Sequence, residues 1–201
     1  MKTLRWKIML AIAIVIVAFS AALAAAEATV TDRYDDTFRK YSARFFGPGF
    51  DWRLFKAQAM AESNIDMNAK SWCGARGIMQ RMPSTFAEVH SKNPEITAID
   101  SPEWNIAAGI YYDSKLWNQW NALSEEADRR SFMLGSYNAG RGTLLRAQGI
   151  AQGRPLDPNL WLNIVTVAGD VPRWRHEETI SYVRKIDVFG SRMDDRGHVV
   201  K

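Results

Sequence analysis

The chain has 201 residues, 47% of them hydrophobic and 24% charged, which suits one domain with a full core and excludes a low-complexity or disordered chain. The formal net charge is +4, but three of the 26 cations, Lys2, Arg5 and Lys7, precede an apolar run. The rest carries 23 cations against 22 acids, so charge does not point to a nucleic-acid partner.

From Ile8 to Ala26 there are 19 residues without a charge, preceded by that basic cluster and ending in small residues. The pattern fits residues 1–28 as a secretory signal peptide, cut near Ala24-Ala25-Ala26 or Ala26-Glu27-Ala28, or as an uncleaved membrane anchor. In either case the chain beyond Glu27 is expected to be exported, to the periplasm or cell envelope. A domain over residues 29–190 and a loose Asp/Arg-rich tail over 191–201 complete the expected organisation. The single Cys73 has no internal disulfide partner and reads as a small buried hydrophobe. The histidines, His90, His176 and His198, lack metal-ligand spacing, so no metal site is expected.

Tyr34, Phe38, Tyr41 and Phe45 recur at helical spacing from a start at Thr31 or Asp32 and predict a core-facing aromatic stripe. Gly47-Pro48-Gly49 breaks that helix and Asp51 restarts one as N-cap. Pro83 opens a short helix to about Val89. Asp100-Ser101-Pro102-Glu103 opens the next, with Ile106, Ile110, Leu116, Trp117 and Trp120. Its Gly109 predicts close approach of another helix. Ser124-Glu125-Glu126 begins a helix running to the glycine stop of Tyr137-Asn138-Ala139-Gly140. Helices over 142–148, from Asp157-Pro158, and from Glu177 or Glu178 to Phe189 come next. Alternating strand patterns are missing, so the predicted fold class is all-α, predominantly helical.

The most informative stretch runs from Asp51 to Gln80. Leu54, Phe55, Gln58 and Ala59 share a helix face, and Glu62 falls in the last turn beside it. The negative end of the helix dipole and the loss of water both disfavour an ionised carboxyl there, which suits a general acid. Asp66 offers a second carboxylate, better read as a turn-capping loop residue than as a nucleophile.

Four pieces in order resemble the soluble-type (SLT-domain) lytic transglycosylases, lysozyme-like bacterial enzymes related to goose-type lysozyme. They are Glu62-Ser63; Ser71 with Gly74-Ala75, Gly77-Ile78-Met79-Gln80 and Met82-Pro83; Tyr137-Asn138-Ala139-Gly140; and Glu178-Thr179 with Tyr182-Val183. Asn105-Ile106, Gly109 and Tyr112 resemble the family's central helix, and the match covers about residues 50–186. Ile78, Ser136 and Phe86 depart from the usual leucine, alanine and alanine without removing a polar group.

The resemblance implies a lysozyme-like domain with a groove for peptidoglycan glycan strands, cut at the β-1,4 bond after N-acetylmuramic acid without a metal or organic cofactor. It makes Glu62 the single acid and base, helped by the substrate's N-acetyl oxygen, with a 1,6-anhydro product. It places Ser71 near Glu62 and the N-acetyl group, Ser63 as a backbone brace, and Gln80 on sugar polar groups. Tyr137 is expected against the sugar or the Glu62 carboxyl, Asn138 on a turn or the substrate, and Glu178 and Tyr182 along the far wall. Met79 and Met82 read as packing, and Arg76, Arg81 and Arg141 as solvated arginines. Trp72 is the best sugar-stacking candidate, with core packing as its default. A hydrolytic muramidase and a non-catalytic wall-binding assembly protein are the alternatives. Inner-membrane anchoring through residues 8–26 and a cell-envelope machinery partner complete the expectations.

Overall fold

A computed structural model of the chain describes residues 32–200. The leader falls outside them; among the described residues no helix is long and apolar enough to cross a membrane. They form helices α1 (Asp35–Phe46), α2 (Arg53–Ser63), α3 (Pro83–Lys92), α4 (Pro102–Gln119), α5 (Glu126–Ala139), α6 (Arg141–Gln152), α7 (Trp161–Val167) and α8 (His176–Ser191), with a 3₁₀ turn at Ala168–Asp170. Extended pairing among them is limited to isolated bridges, at Lys70–Arg76, Arg76–Arg81 and Met193–Val199. The architecture is the predominantly helical one that the apolar periodicity predicts.

α2 lies at the centre, packed along α8 and against α1, while α4 and α5 close the core from the other side. Its N-cap is Trp52 rather than the expected Asp51, whose carboxylate accepts the Arg53 N–H at 3.0 Å from one residue further out. Its C-terminus turns sharply: Asn64 and Ile65 both adopt left-handed backbone, and the Ile65 N–H reaches the Ala59 carbonyl at 3.3 Å. Left-handed φ is unfavourable for β-branched Ile65, which the core holds at 3% exposure. A second apolar cluster, built on Trp120, Phe132, Leu144, Ile164 and Trp174, lies beneath α6 and α7.

Several boundaries move for tertiary reasons. α7 starts at Trp161, because Asp128 of α5 caps the Trp161 N–H at 2.7 Å, while Asp157 is occupied in its own turn with Asn159. α6 runs past Gln148 to Gln152, and α8 begins at His176 and continues through Gly190. Gly109 is needed for a loop rather than another helix: a Cβ there would sit 2.8 Å from the buried Met79 side chain.

The C-terminal segment is docked where its composition predicts looseness. Arg53 donates to the Asp194 carbonyl at 3.0 Å, the fully buried Lys56 donates to the Gly197 carbonyl at 2.9 Å, and Met193 is buried. Gly197 lies flat against Trp52, where a Cβ would meet the indole at 2.2 Å.

Candidate active site

The site is assembled by the connection from α2 to α3, which folds back over the end of α2. Arg76 and Arg81 exchange backbone hydrogen bonds at 3.0 and 2.9 Å, closing a tight turn around Gly77-Ile78-Met79-Gln80. Asn105, 1% exposed on α4, clamps this turn with its whole amide: Oδ1 accepts the Met79 N–H at 2.8 Å, and Nδ2 donates to the carbonyls of Arg76 and Ile99. Gly77 is required at that contact, since its φ is +71° and a Cβ would lie 2.6 Å from the Asn105 amide.

Glu62 projects from the last turn of α2, partly buried. Its Oε1 accepts a 2.7 Å hydrogen bond from the Tyr182 hydroxyl on α8. Burial raises the Glu62 carboxyl above its ordinary value, against the Tyr182 hydrogen bond and the positive charges of Arg81 and Lys185, which lower it. The Tyr182 hydroxyl is itself pushed well up by burial and by the neighbouring Glu62, so it stays a donor.

The remaining predicted residues are held by bonds within the protein. Ser63 ties the helix end to the turn, donating to the Ile78 carbonyl at 2.8 Å and accepting the Asp66 N–H at 3.1 Å. Gln80, in left-handed backbone at φ 44°, commits its amide nitrogen to the carbonyls of Gly77 and Ala69. Tyr182 rather than Tyr137 holds the Glu62 carboxyl; Tyr137 is buried and donates to the Met79 carbonyl at 2.7 Å. Ser71 bonds within its own loop, accepting the Ala75 N–H at 2.9 Å and lying 3.0 Å from the Cys73 sulfur. Asn138 accepts the Thr179 hydroxyl at 2.8 Å, fastening α5 to α8, and Glu178 pairs on the surface with Arg175.

Three expectations are reversed. Cys73 is exposed and its thiol is lowered, chiefly by the Ser71 hydroxyl, so it is no buried hydrophobe. Trp72 beside it is 94% exposed, which removes core packing. Arg81 is 5% exposed instead of solvated, with its guanidinium 3.8 Å from the Tyr137 ring centre and 4.9 Å from that of Tyr112. Arg76 and Arg141 are half-buried, paired with Asp100 and laid over Trp120 respectively.

Two wholly buried polar residues had no functional role in the sequence reading: Gln58 of α2, read only as part of a helix face, and Asp113 of α4. A signal was present: each polar residue interrupts an otherwise apolar row, Asp113 following Ile106 and Ile110 at helical spacing. Asp66 caps the Asn68 N–H in its loop at 2.8 Å and is exposed. A depression of about 480 Å³ bordered by Phe50, Leu54, Trp117 and Ile186 does not include Glu62.

Comparison with known proteins identifies the family. Residues 40–158 match the Transglycosylase SLT domain family. The membrane-bound lytic murein transglycosylase F of Desulfosudis oleivorans is 34% identical over 130 residues, 65% of this chain and 27% of that protein. The protein of the same name from Ectopseudomonas mendocina is 31% identical over 152 residues, 76% of this chain and 29% of its own. The crystal structure of the 70 kDa soluble lytic transglycosylase of Escherichia coli superposes with a TM-score of 0.59 at 27% identity, covering 79% of this chain and 23% of that one. The chain thus spans about a quarter of the length of these relatives. With more than half its length inside that domain and a similar helical fold, the chain belongs to the SLT-domain family of the lysozyme-like superfamily.

Proposed function

We propose that the domain is a peptidoglycan lytic transglycosylase, cleaving the β-1,4 bond between N-acetylmuramic acid and N-acetylglucosamine and leaving a 1,6-anhydromuramic acid end. The observation that carries this reading is the Glu62 carboxyl, partly buried at a helix end, held by Tyr182 and biased toward its protonated form. With Oε1 engaged by Tyr182, the proton belongs on Oε2, from which it passes to the glycosidic oxygen as the bond to the anomeric carbon breaks.

The positive charge then developing on the sugar requires a partner, in many glycosidases a second carboxylate. Asp66 is exposed and occupied in its loop, and Asp113 has no surface exposure. The resemblance to the family supplies the partner instead: the substrate's own N-acetyl oxygen stabilises the anomeric carbon. The Glu62 carboxylate next accepts the proton of the muramic C6 hydroxyl, whose oxygen closes on the anomeric carbon. Glu62 ends protonated, as it began, and water is not consumed.

Gln80, whose amide nitrogen is already committed, offers its carbonyl oxygen to the sugar. Ser71, Asn138, Glu178 and the exposed Trp72 supply further contacts along the glycan strand. The fold, the family and the names of the relatives support this assignment. Its substrate makes the periplasm or cell envelope the site of action, with residues 8–26 as leader or inner-membrane anchor.

The test is mass analysis of purified sacculi digested with the domain. Anhydro products, lighter than reducing ends by one water, are expected. Exclusively reducing ends would make the protein a muramidase, and binding without cleavage would make it a wall-binding protein. Glu62→Gln is expected to lower turnover by roughly a hundredfold to ten-thousandfold, the range of a general acid; unchanged turnover would remove Glu62 from the mechanism.

A further inference from the structure

The start of α8 is anchored through one buried hydroxyl. No side chain caps the N-terminus of this helix, which follows left-handed backbone at Arg173, and its buried row begins at Thr179 and continues through Tyr182, Val183 and Ile186. Thr179 is 1% exposed. Its Oγ1 accepts the indole N–H of Trp174 at 3.0 Å and donates to Oδ1 of Asn138, near the end of α5, at 2.8 Å. Chemistry fixes the direction of both bonds: an indole only donates, so the Thr179 proton is left for the Asn138 carbonyl oxygen. Trp174 belongs to the second apolar cluster, so one hydroxyl ties the start of α8 both to that cluster and to the end of α5.

Tyr182 follows Thr179 by three residues on the same buried face, and its hydroxyl meets Glu62 Oε1 at 2.7 Å. That bond joins two helices, so its length depends on where α8 lies along α2. A helix rises about 1.5 Å per residue, and a slide of that size would part the contact. A valine would fill nearly the same volume as Thr179; what the hydroxyl adds is two hydrogen bonds, and a satisfied buried network of this kind holds one arrangement.

We infer that Thr179 is a positioning residue, whose bonds to Trp174 and Asn138 hold α8 at the depth where the Tyr182 hydroxyl engages the Glu62 carboxyl. This rests on Glu62 being the acid of the proposed reaction.

The titratable and charged groups around Glu62 are Tyr182 and Lys185 on α8, Arg81 on the α2–α3 connection, Asp113 on α4 and Tyr137 on α5. Among the described residues Tyr182 alone donates a hydrogen bond to the carboxyl. That bond favours the ionised form, as does the charge of Lys185 on the same helix, so a displaced α8 raises the Glu62 midpoint. Arg81, Asp113 and Tyr137 belong to other elements and are present in every variant below.

Thr179→Val is the test, since it keeps the shape and removes both bonds. The Glu62 midpoint is read by ¹³C-carboxyl NMR titration of the glutamate-labelled domain, with Glu62 identified by its loss in Glu62→Gln. A rise of roughly 0.4–1 pH unit is expected, the worth of one hydrogen bond, in the direction that Tyr182→Phe also moves it. On sacculi kcat falls roughly two- to tenfold. When Thr179→Val is combined with Tyr182→Phe, midpoint and kcat stay close to those of Tyr182→Phe alone, because both substitutions remove the same contact. Thr179→Ser keeps the hydroxyl and restores the parent midpoint.

An unmoved midpoint in a Thr179→Val domain with parental helical circular dichroism would overturn the inference, as would effects of the two substitutions that simply add. A role confined to packing gives that pattern, a lower Tm with the Glu62 titration unchanged. Should Thr179→Val fail to fold, Asn138→Ala, which cuts the link to α5 alone, decides by the same titration: a raised midpoint supports the positioning role and an unmoved one refutes it. The titration contains no substrate, so absence of anhydro product would sink the transglycosylase assignment while leaving the role of Thr179 standing.

Discussion

The Tyr182 hydroxyl donates to Glu62 Oε1 at 2.7 Å across 120 residues of chain, joining the last helix to the end of the central one. The bond favours the ionised carboxyl, so it opposes the effect of burial on the same group. Tyr182→Phe removes that opposition and raises the Glu62 pKa, moving the alkaline limb of activity to higher pH. Loss of orientation lowers kcat roughly two- to tenfold, as for one hydrogen bond of about 0.5–1.5 kcal/mol. A pH–kcat profile of the variant on sacculi checks both; a limb displaced to lower pH would contradict the geometry.

Glu62→Gln has a second consequence, for stability. A carboxyl whose folded pKa lies above its unfolded one stabilises fully below the unfolded value, and that contribution is lost as pH rises through the folded value. The parent therefore bears the cost of ionising a partly buried group at neutral and alkaline pH, and the uncharged amide of the variant does not. The Tm of the variant is expected to exceed the parent's at about pH 8, with the gap closing as the pH falls below about 4, where Glu62 becomes protonated in both states. Thermal unfolding across that range tests it, and a gap independent of pH would exclude the linkage.

Lys56 is fully buried and lies 2.7 Å from Asp32, 2.8 Å from Asp35 and 2.9 Å from the Gly197 carbonyl. Lys56→Met leaves Asp35 without that cation and is expected to lower stability by about 3–5 kcal/mol. Gly197→Ala, at φ +89° and 2.2 Å from Trp52, undocks the same segment from the other side. Trypsin digestion should then cut at Arg192 and Arg196 faster in both variants than in the parent; equal rates would mean that the C-terminal segment is not anchored by these contacts.

Gly109→Ala presses on the Met79 side chain, which is wholly buried and carries the clamped backbone next to Gln80. A cost of about 1–3 kcal/mol is expected. Replacing Met79 by Ala in the same chain should recover part of it, since the contacts with Cγ and Cε disappear while the one with Cβ at 2.8 Å stays. Denaturant unfolding of the single and double variants measures the coupling.

The sequence by itself determined the helical class, most helix positions and the stretch from Asp51 to Gln80, because these depend on short-range periodicity, capping residues and glycine or proline breaks. Glu62 was legible as a carboxyl at the end of an apolar helix, before any neighbour was known. The tertiary structure decided which groups surround it. Tyr182 rather than Tyr137 holds the carboxyl because α8 lies along α2, while the Tyr137 hydroxyl is consumed by the Met79 carbonyl. Arg81 reaches Tyr112 and Tyr137, and Gln58 reaches Asp113, only when the α2–α3 connection and α2 pack against their neighbours, and no spacing along the chain records those meetings. The docked C-terminus follows the same logic: its composition is that of a solvated tail, but Lys56 and Trp52, some 140 residues earlier, provide the carbonyl partner and the flat surface that hold it.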